Sequence, residues 1–160
     1  MNLWKSKGLG RLIGAFVVSL MAPMLHAQTP GVSNNEIVIG LFAPLSGPLV
    51  AYGVDPLNAA KMLYDDINAQ GGIHGRKIRL VIEDDKCTGN ELVGVVKKLI
   101  TVDNVFILHG GSCTSAIAAA QEYISREKVP FVMLNAAGDN AVFPATRYMF
   151  GSFQGTQRVY

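Results

Sequence analysis

Four apolar runs of strand length alternate along this chain with three stretches whose apolar residues recur at helical spacing. The runs occupy 36–43, 77–83, 105–109 and 129–134. Between the first two, Leu57, Ala60, Leu63, Tyr64 and Ile67 form a helical stripe, and Leu92, Val95, Val96, Leu99 and Ile100 form another before the third. An alanine-rich run from Ala116 to about Glu127 precedes the fourth. Unbroken apolar strands are typical of a sheet buried on both faces. Strands alternating with helices demand parallel pairing and right-handed crossovers. The pattern predicts an α/β fold, a Rossmann-like open parallel sheet flanked by helices, with a further strand within 148–153.

Local signals set the expected boundaries. Asp55-Pro56 predicts a helix start, a capping side chain followed by proline at the first helical position. Gly71-Gly72 predicts its end. Thr88-Gly89-Asn90-Glu91 reads as a capping box, Thr bonding forward and Glu bonding back. Gly94 costs the second helix about 1 kcal/mol relative to alanine, which suggests close packing there. His74 in its glycine-rich turn reads as a solvated loop residue.

In open parallel sheets, ligands bind beyond the C-terminal strand ends. Those ends carry 46–52, 84–87, 110–115 and 136–140 here, three of them built from small and hydroxyl residues suited to a small polar ligand. The central one, Gly110-Gly111-Ser112-Cys113-Thr114-Ser115, joins the third strand to the alanine-rich helix. Its glycines permit a tight turn, and its hydroxyls stand where unpaired N–H groups and a partial positive charge favour a carboxylate. Rival readings are weaker. A phosphate loop needs a lysine before Ser or Thr, and none lies between His109 and Gln121. Gly110-x-Ser112-x-Thr114 lacks the final glycine of a nucleophile elbow. Cys113 as an activated thiolate and a plain helix cap stay open. Tyr52 could present its ring at the end of the first strand. Asp84 and Asp85 are expected to bond loop N–H groups, because no metal-ligand cluster surrounds them; no metal or cofactor is predicted.

Charge is concentrated at the N-terminus. Lys5, Lys7 and Arg11 precede every acidic residue, and without them eleven basic residues stand against twelve acidic ones, which argues against nucleic acid as a partner. Those cations followed by an apolar run to Leu25, with Ala27 as a small residue for cleavage, have the layout of a secretory signal peptide over 1–27. The apolar run is shorter than the ~20 residues a spanning helix needs. Residues 28–35 read as an exposed N-terminal segment. In an oxidising compartment the even pair Cys87 and Cys113 is expected to be bridged, closing a loop of about 27 residues worth roughly 3.5 kcal/mol.

Residues 39–47, the run Asn68-Ala69-Gln70-Gly71-Gly72-Ile73-His74-Gly75-Arg76, Asp84-Asp85 and the turn at 111–115 together resemble the leucine/isoleucine/valine-binding proteins, periplasmic substrate-binding proteins of ABC importers with a type I two-lobed fold. The resemblance runs from Glu36 to Tyr160. It implies strand order 2-1-3-4-5 and identifies 36–160 as the N-terminal lobe, with ligand trapped between two lobes by hinge closure. It implies a periplasmic location, a small-molecule solute (an amino acid or a small carboxylate or amide) and an ABC-type membrane permease as partners. By position, Thr114 or Ser115 would bond the ligand carboxylate with Ser112 close by. Ala136 and Gly138 would offer backbone contacts, Tyr52 an aromatic wall, and Cys87 and Cys113 the family's disulfide. Gly138 stands where amino-acid binders often have threonine, which loosens branched-chain specificity. Members run to well over twice this length, so the chain reads as a fragment or a truncated gene product lacking its second lobe.

Two other functions compete. A secreted hydrolase or amidase using Cys113 or Ser112 needs a positioned base, and no histidine follows His109. A ligand-sensing receptor lobe would use the same fold.

Overall fold

The computed structural model describes residues 29–136 and 146–151. The chain runs β1 (Glu36–Ala43), α1 (Ala51–Ala69), β2 (Lys77–Asp84), α2 (Gly89–Thr101), β3 (Ile107–Gly110), α3 (Thr114–Glu127), β4 (Phe131–Met133) and β5 (Met149–Phe150). The five strands form one parallel sheet in the order β2-β1-β3-β4-β5, with Ile39 paired to both Leu80 and Ile107 at its centre. Fold class and strand order agree with the sequence reading. The signal-peptide segment 1–27 lies outside the described residues, as does Gly138.

The two faces of the sheet are unequally covered. Val38, Phe42, Leu108, Phe131, Met133 and Met149 meet Leu92, Val96 and Leu99 of α2 and Ala116, Ile117, Ala120 and Ile124 of α3 in the main core. Phe42 and Phe131 stack there with ring centroids 5.5 Å apart. The opposite face holds a smaller cluster, Leu41 and Ala43 against Leu57 and Ala60 of α1. Leu41, His109, Val132 and Phe150 form one row across β1, β3, β4 and β5 on that side. Leu41 is fully buried whereas Phe150 is 57% exposed, so the cover given by α1 runs out toward β5.

Four local expectations are corrected. Helix α1 begins at Ala51 rather than at Asp55, with Pro56 inside it. A proline there cannot bond the carbonyl four residues back, that of Tyr52, and this carbonyl instead accepts from Asn135 Nδ2 at 3.1 Å. Leu63 leaves the expected stripe and is 59% exposed, because α1 buries a narrow face around Gly53, Leu57 and Ala60. Gly94 does not mark close packing, since nothing lies within 4 Å of where its Cβ would stand. The capping box is half made: Thr88 Oγ1 accepts from Glu91 N at 3.4 Å, but the Glu91 carboxylate pairs with Lys86 Nζ at 3.1 Å.

The Asn68–Arg76 run has a physical purpose. Asn68 reaches across to edge strand β2, accepting from Ile78 N at 2.7 Å and donating to Ile78 O at 2.8 Å. It thereby occupies backbone groups that an edge strand otherwise leaves open to other chains. Gly72 has φ +80, and a Cβ there would meet Arg76 O at 2.0 Å, so the return from α1 into β2 admits only glycine.

Candidate functional site

The C-terminal strand ends meet on one side of the sheet, as the parallel topology requires. The turn after β3 is the tightest part. Gly111 N donates to Phe42 O at 3.0 Å, and Leu134 N donates to Gly110 O at 2.7 Å, so this turn is tied to both neighbouring strands. A Cβ on Gly110 would meet Phe42 O at 2.2 Å, and Gly111 has φ +79. Both glycines are therefore structural requirements of the turn.

Past them the hydroxyl residues separate. Ser112 Oγ is buried and has no hydrogen-bond partner among the described residues. Thr114 and Ser115 open α3, Thr114 half-buried and Ser115 exposed. The residue preceding the helix is Cys113, extended at φ −116, and its side chain makes no capping bond. The rival reading of a plain hydroxyl cap does not hold at the N-cap position, which a bridged cysteine fills. The Cys113 side chain caps none of the first-turn N–H groups, which stand at the positive end of the α3 dipole.

Cys87 and Cys113 form the expected disulfide, with Cα atoms 5.5 Å apart. The bridge ties the turn after β2 to the start of α3. A bridged sulfur is no nucleophile, so the thiolate version of the hydrolase reading does not describe this state. His109 is engaged elsewhere: its Nδ1 lies 2.7 Å from Tyr64 Oη, between the sheet and α1. Burial lowers the His109 pKa below its ordinary value and raises that of Tyr64.

The acidic pair does what loop carboxylates were expected to do. Asp84 Oδ1 accepts from Leu45 N at 2.8 Å and Lys86 N at 2.9 Å, and Oδ2 accepts from Ser46 Oγ at 2.5 Å. Burial works against its charge, but these bonds outweigh it and hold the carboxyl below its ordinary pKa. Asp85 is fully buried. Its Oδ1 accepts from Cys87 N at 2.8 Å, its Oδ2 has no partner among the described residues, and burial, with the Asp84 charge adding to it, raises its pKa. Among the described residues no group of three or more His, Cys, Asp or Glu could hold a metal ion.

Tyr52 stands in the first turn of α1, 63% exposed, with its carbonyl bound by Asn135. Ala136 follows Asn135, and its side chain joins the main core. The structure therefore brings Tyr52 beside the end of β4, and Cys87 beside the start of α3. Sequence reasoning missed Asn135, whose Oδ1 is also buried without a partner among the described residues. The available signal was Pro56, which orphans a carbonyl that some other donor must satisfy. A cleft of about 390 Å³ lies at the opposite, N-terminal strand ends, between the 29–33 segment, Glu36, Arg79 and Asn104.

Comparison with known proteins places this geometry. A family model described as periplasmic binding protein matches residues 36–159. The Leu/Ile/Val-binding protein BraC3 of Rhizobium johnstonii is 37% identical over 111 residues, 69% of this chain and 28% of that protein. An amino acid binding protein of Pseudomonas aeruginosa is 32% identical over 111 residues, again 69% of this chain and 28% of that protein. Among solved structures, the branched-chain amino acid transporter substrate-binding protein LivJ of Streptococcus pneumoniae, in complex with isoleucine, is 33% identical. It superposes with a TM-score of 0.70 over 75% of this chain and 34% of its own. A solute-binding protein of an ABC transporter from Rhodopseudomonas palustris, in complex with 3,4-dihydroxybenzoic acid, is 25% identical with a TM-score of 0.65, covering 74% of this chain and 32% of its own. The chain spans less than a third of the length of these curated relatives.

Proposed function

The chain belongs to the periplasmic binding protein family, whose relatives are substrate-binding proteins, and from that premise we propose that it forms the N-terminal lobe, residues 36–160, of the extracytoplasmic solute receptor of an ABC importer. Residues 1–27 direct export, and 28–35 lead into the lobe. The solute is a branched-chain amino acid or a related small carboxylate or amide. Its carboxylate sits at the start of α3, bonded by the Thr114 or Ser115 hydroxyl and first-turn N–H groups, with Ser112 beside it. The backbone of Ala136 and Gly138 and the ring of Tyr52 complete this wall. A second lobe closes over the ligand and excludes water, and the closed form delivers it to a membrane permease. The protein carries out no covalent chemistry.

The observation that supports this reading best is the start of α3. Its N-cap side chain is committed to a disulfide and makes no capping bond, and the positive end of the helix dipole lies at the strand ends where ligands of such sheets bind. The test is calorimetric titration of the chain, alone and joined to the remaining two-thirds of the Rhizobium relative, with isoleucine, leucine, valine, 3,4-dihydroxybenzoate and small amides. Tight binding by the joined protein, lost in Thr114→Ala/Ser115→Ala, is expected. Equal binding with and without those hydroxyls would refute the assigned wall.

A further inference from the structure

We infer that Asp84 is a positioning residue for the ligand wall, holding the loop after β1 and the turn after β2 in one fixed relation. The inference rests on the binding-protein reading above. Asp84 ends β2 directly opposite Ala43, the last residue of β1. Its carboxylate is shared between two loops from different strands. Leu45 N and Ser46 Oγ reach it from 39 and 38 residues away, and Lys86 N reaches it from its own turn.

Each loop leads to a residue of the wall. Beyond Leu45 and Ser46 the chain enters α1 at Ala51, and the carbonyl of the next residue, Tyr52, meets Asn135. Beyond Lys86 comes Cys87, bridged to Cys113 at the head of α3. Lys86 and Cys87 hold φ of 47° and 61° in succession, a region that residues with side chains rarely adopt. Bonds from Lys86 N to Asp84 and from Cys87 N to Asp85 keep them there. Removing the Asp84 carboxylate frees Leu45 and Ser46 on one side and relaxes the strained pair on the other. Both ends of the wall, Tyr52 and Thr114, then lose their fixed spacing. Preorganisation of this kind governs affinity without contact to the ligand.

The experiment compares the chain joined to the remaining two-thirds of the Rhizobium relative with the Asp84→Ala, Asp84→Asn and Ser46→Ala variants of that joined protein. Each is titrated with L-isoleucine and with 3,4-dihydroxybenzoate, following the amide NMR signals of Thr114 and Ser115. The Leu45 and Lys86 amide signals report the clamp itself, with or without ligand. Asp84→Ala should weaken binding about tenfold, the scale of a lost charge-assisted hydrogen bond. Ser46→Ala should weaken it less. Asp84→Asn keeps an acceptor for Leu45 and Lys86, so it should recover most of the affinity and most of the parent amide pattern. Unchanged affinity in Asp84→Ala, even with lowered melting temperature, overturns the inference, as does equal loss in the Asn and Ala variants. If neither probe moves Thr114 or Ser115 in the parent while the Leu45 and Lys86 signals are intact, the binding-protein reading fails, and the inference with it.

Discussion

Asn135 donates through Nδ2 to the carbonyl of Tyr52 at 3.1 Å, the one carbonyl of α1 that Pro56 leaves without its helical donor. The end of β4 and the first turn of α1 are thereby joined across 83 residues of sequence. Gly53, next to Tyr52, lets the same turn of α1 lie against the loop after β1, because a Cβ there would meet Pro44 O at 2.2 Å.

Asn135→Ala should therefore cost about 1 kcal/mol, the net worth of an ordinary hydrogen bond. In a Pro56→Ala background the new N–H reclaims the carbonyl, and the same substitution should cost measurably less. A double-mutant cycle in urea reads the difference. Strict additivity of the two changes would show that proline and asparagine are unrelated.

Gly94 offers the opposite case. It lies mid-helix in α2, exposed, with open space around its missing side chain. Gly94→Ala should stabilise the chain by about 1 kcal/mol, since alanine gains helix propensity and meets no neighbour. Gly110→Ala should fail to fold stably, its Cβ forced against the Phe42 carbonyl. Thermal melts of the two variants should move in opposite directions.

These cases show what the sequence could convey. Strand order, parallel pairing and the disulfide were all accessible, because they follow from apolar periodicity, crossover handedness, cysteine parity and resemblance. The start of α1 was not. Asp55-Pro56 has the composition of a helix start, and only a long-range donor, Asn135, makes a helix one turn longer tolerable. Leu63 was assigned to the core by spacing alone, yet α1 covers too little of the sheet to bury it. For the site, sequence pointed to the C-terminal strand ends, which the parallel sheet gathers on one side, and to Asp84 and Asp85 as loop acceptors. It could not show that Asp84 reaches back 39 residues to Leu45, because bonding between loops leaves no periodic trace.

Asn68 should be among the costlier polar residues to lose. Its amide makes two hydrogen bonds with the backbone of Ile78 in a half-buried setting. Asn68→Ala leaves both groups of an edge strand unpaired and should cost about 2–3 kcal/mol. Asn68→Asp keeps the acceptor for Ile78 N but sets a carboxylate against Ile78 O, so it should recover little. Urea midpoints with light scattering should show lower stability and greater self-association in both variants.

Acid should weaken the fold through His109 before it reaches the carboxylates. Burial lowers the His109 pKa below its ordinary value, about 6.5 in an unfolded chain. Between its folded pKa and that value the unfolded state binds more protons, so stability falls as pH drops below about 6.5 and levels off under the folded pKa. Asp84, with its pKa lowered, adds a further loss only as pH falls below about 4. Asp85 works the other way: its raised pKa means the folded state binds the extra proton, so stability falls as pH rises from the ordinary carboxyl value through its folded one. The opposing slopes are separable by substitution. His109→Gln should flatten the stability profile in the range just below about pH 6.5, while keeping an acceptor for the Tyr64 hydroxyl. Asp85→Asn should remove the fall that sets in above the ordinary carboxyl value and leave the histidine arm in place. Urea unfolding of the three proteins at half-unit pH steps measures both arms, and a slope below pH 6.5 that survives in His109→Gln would assign it to some other group.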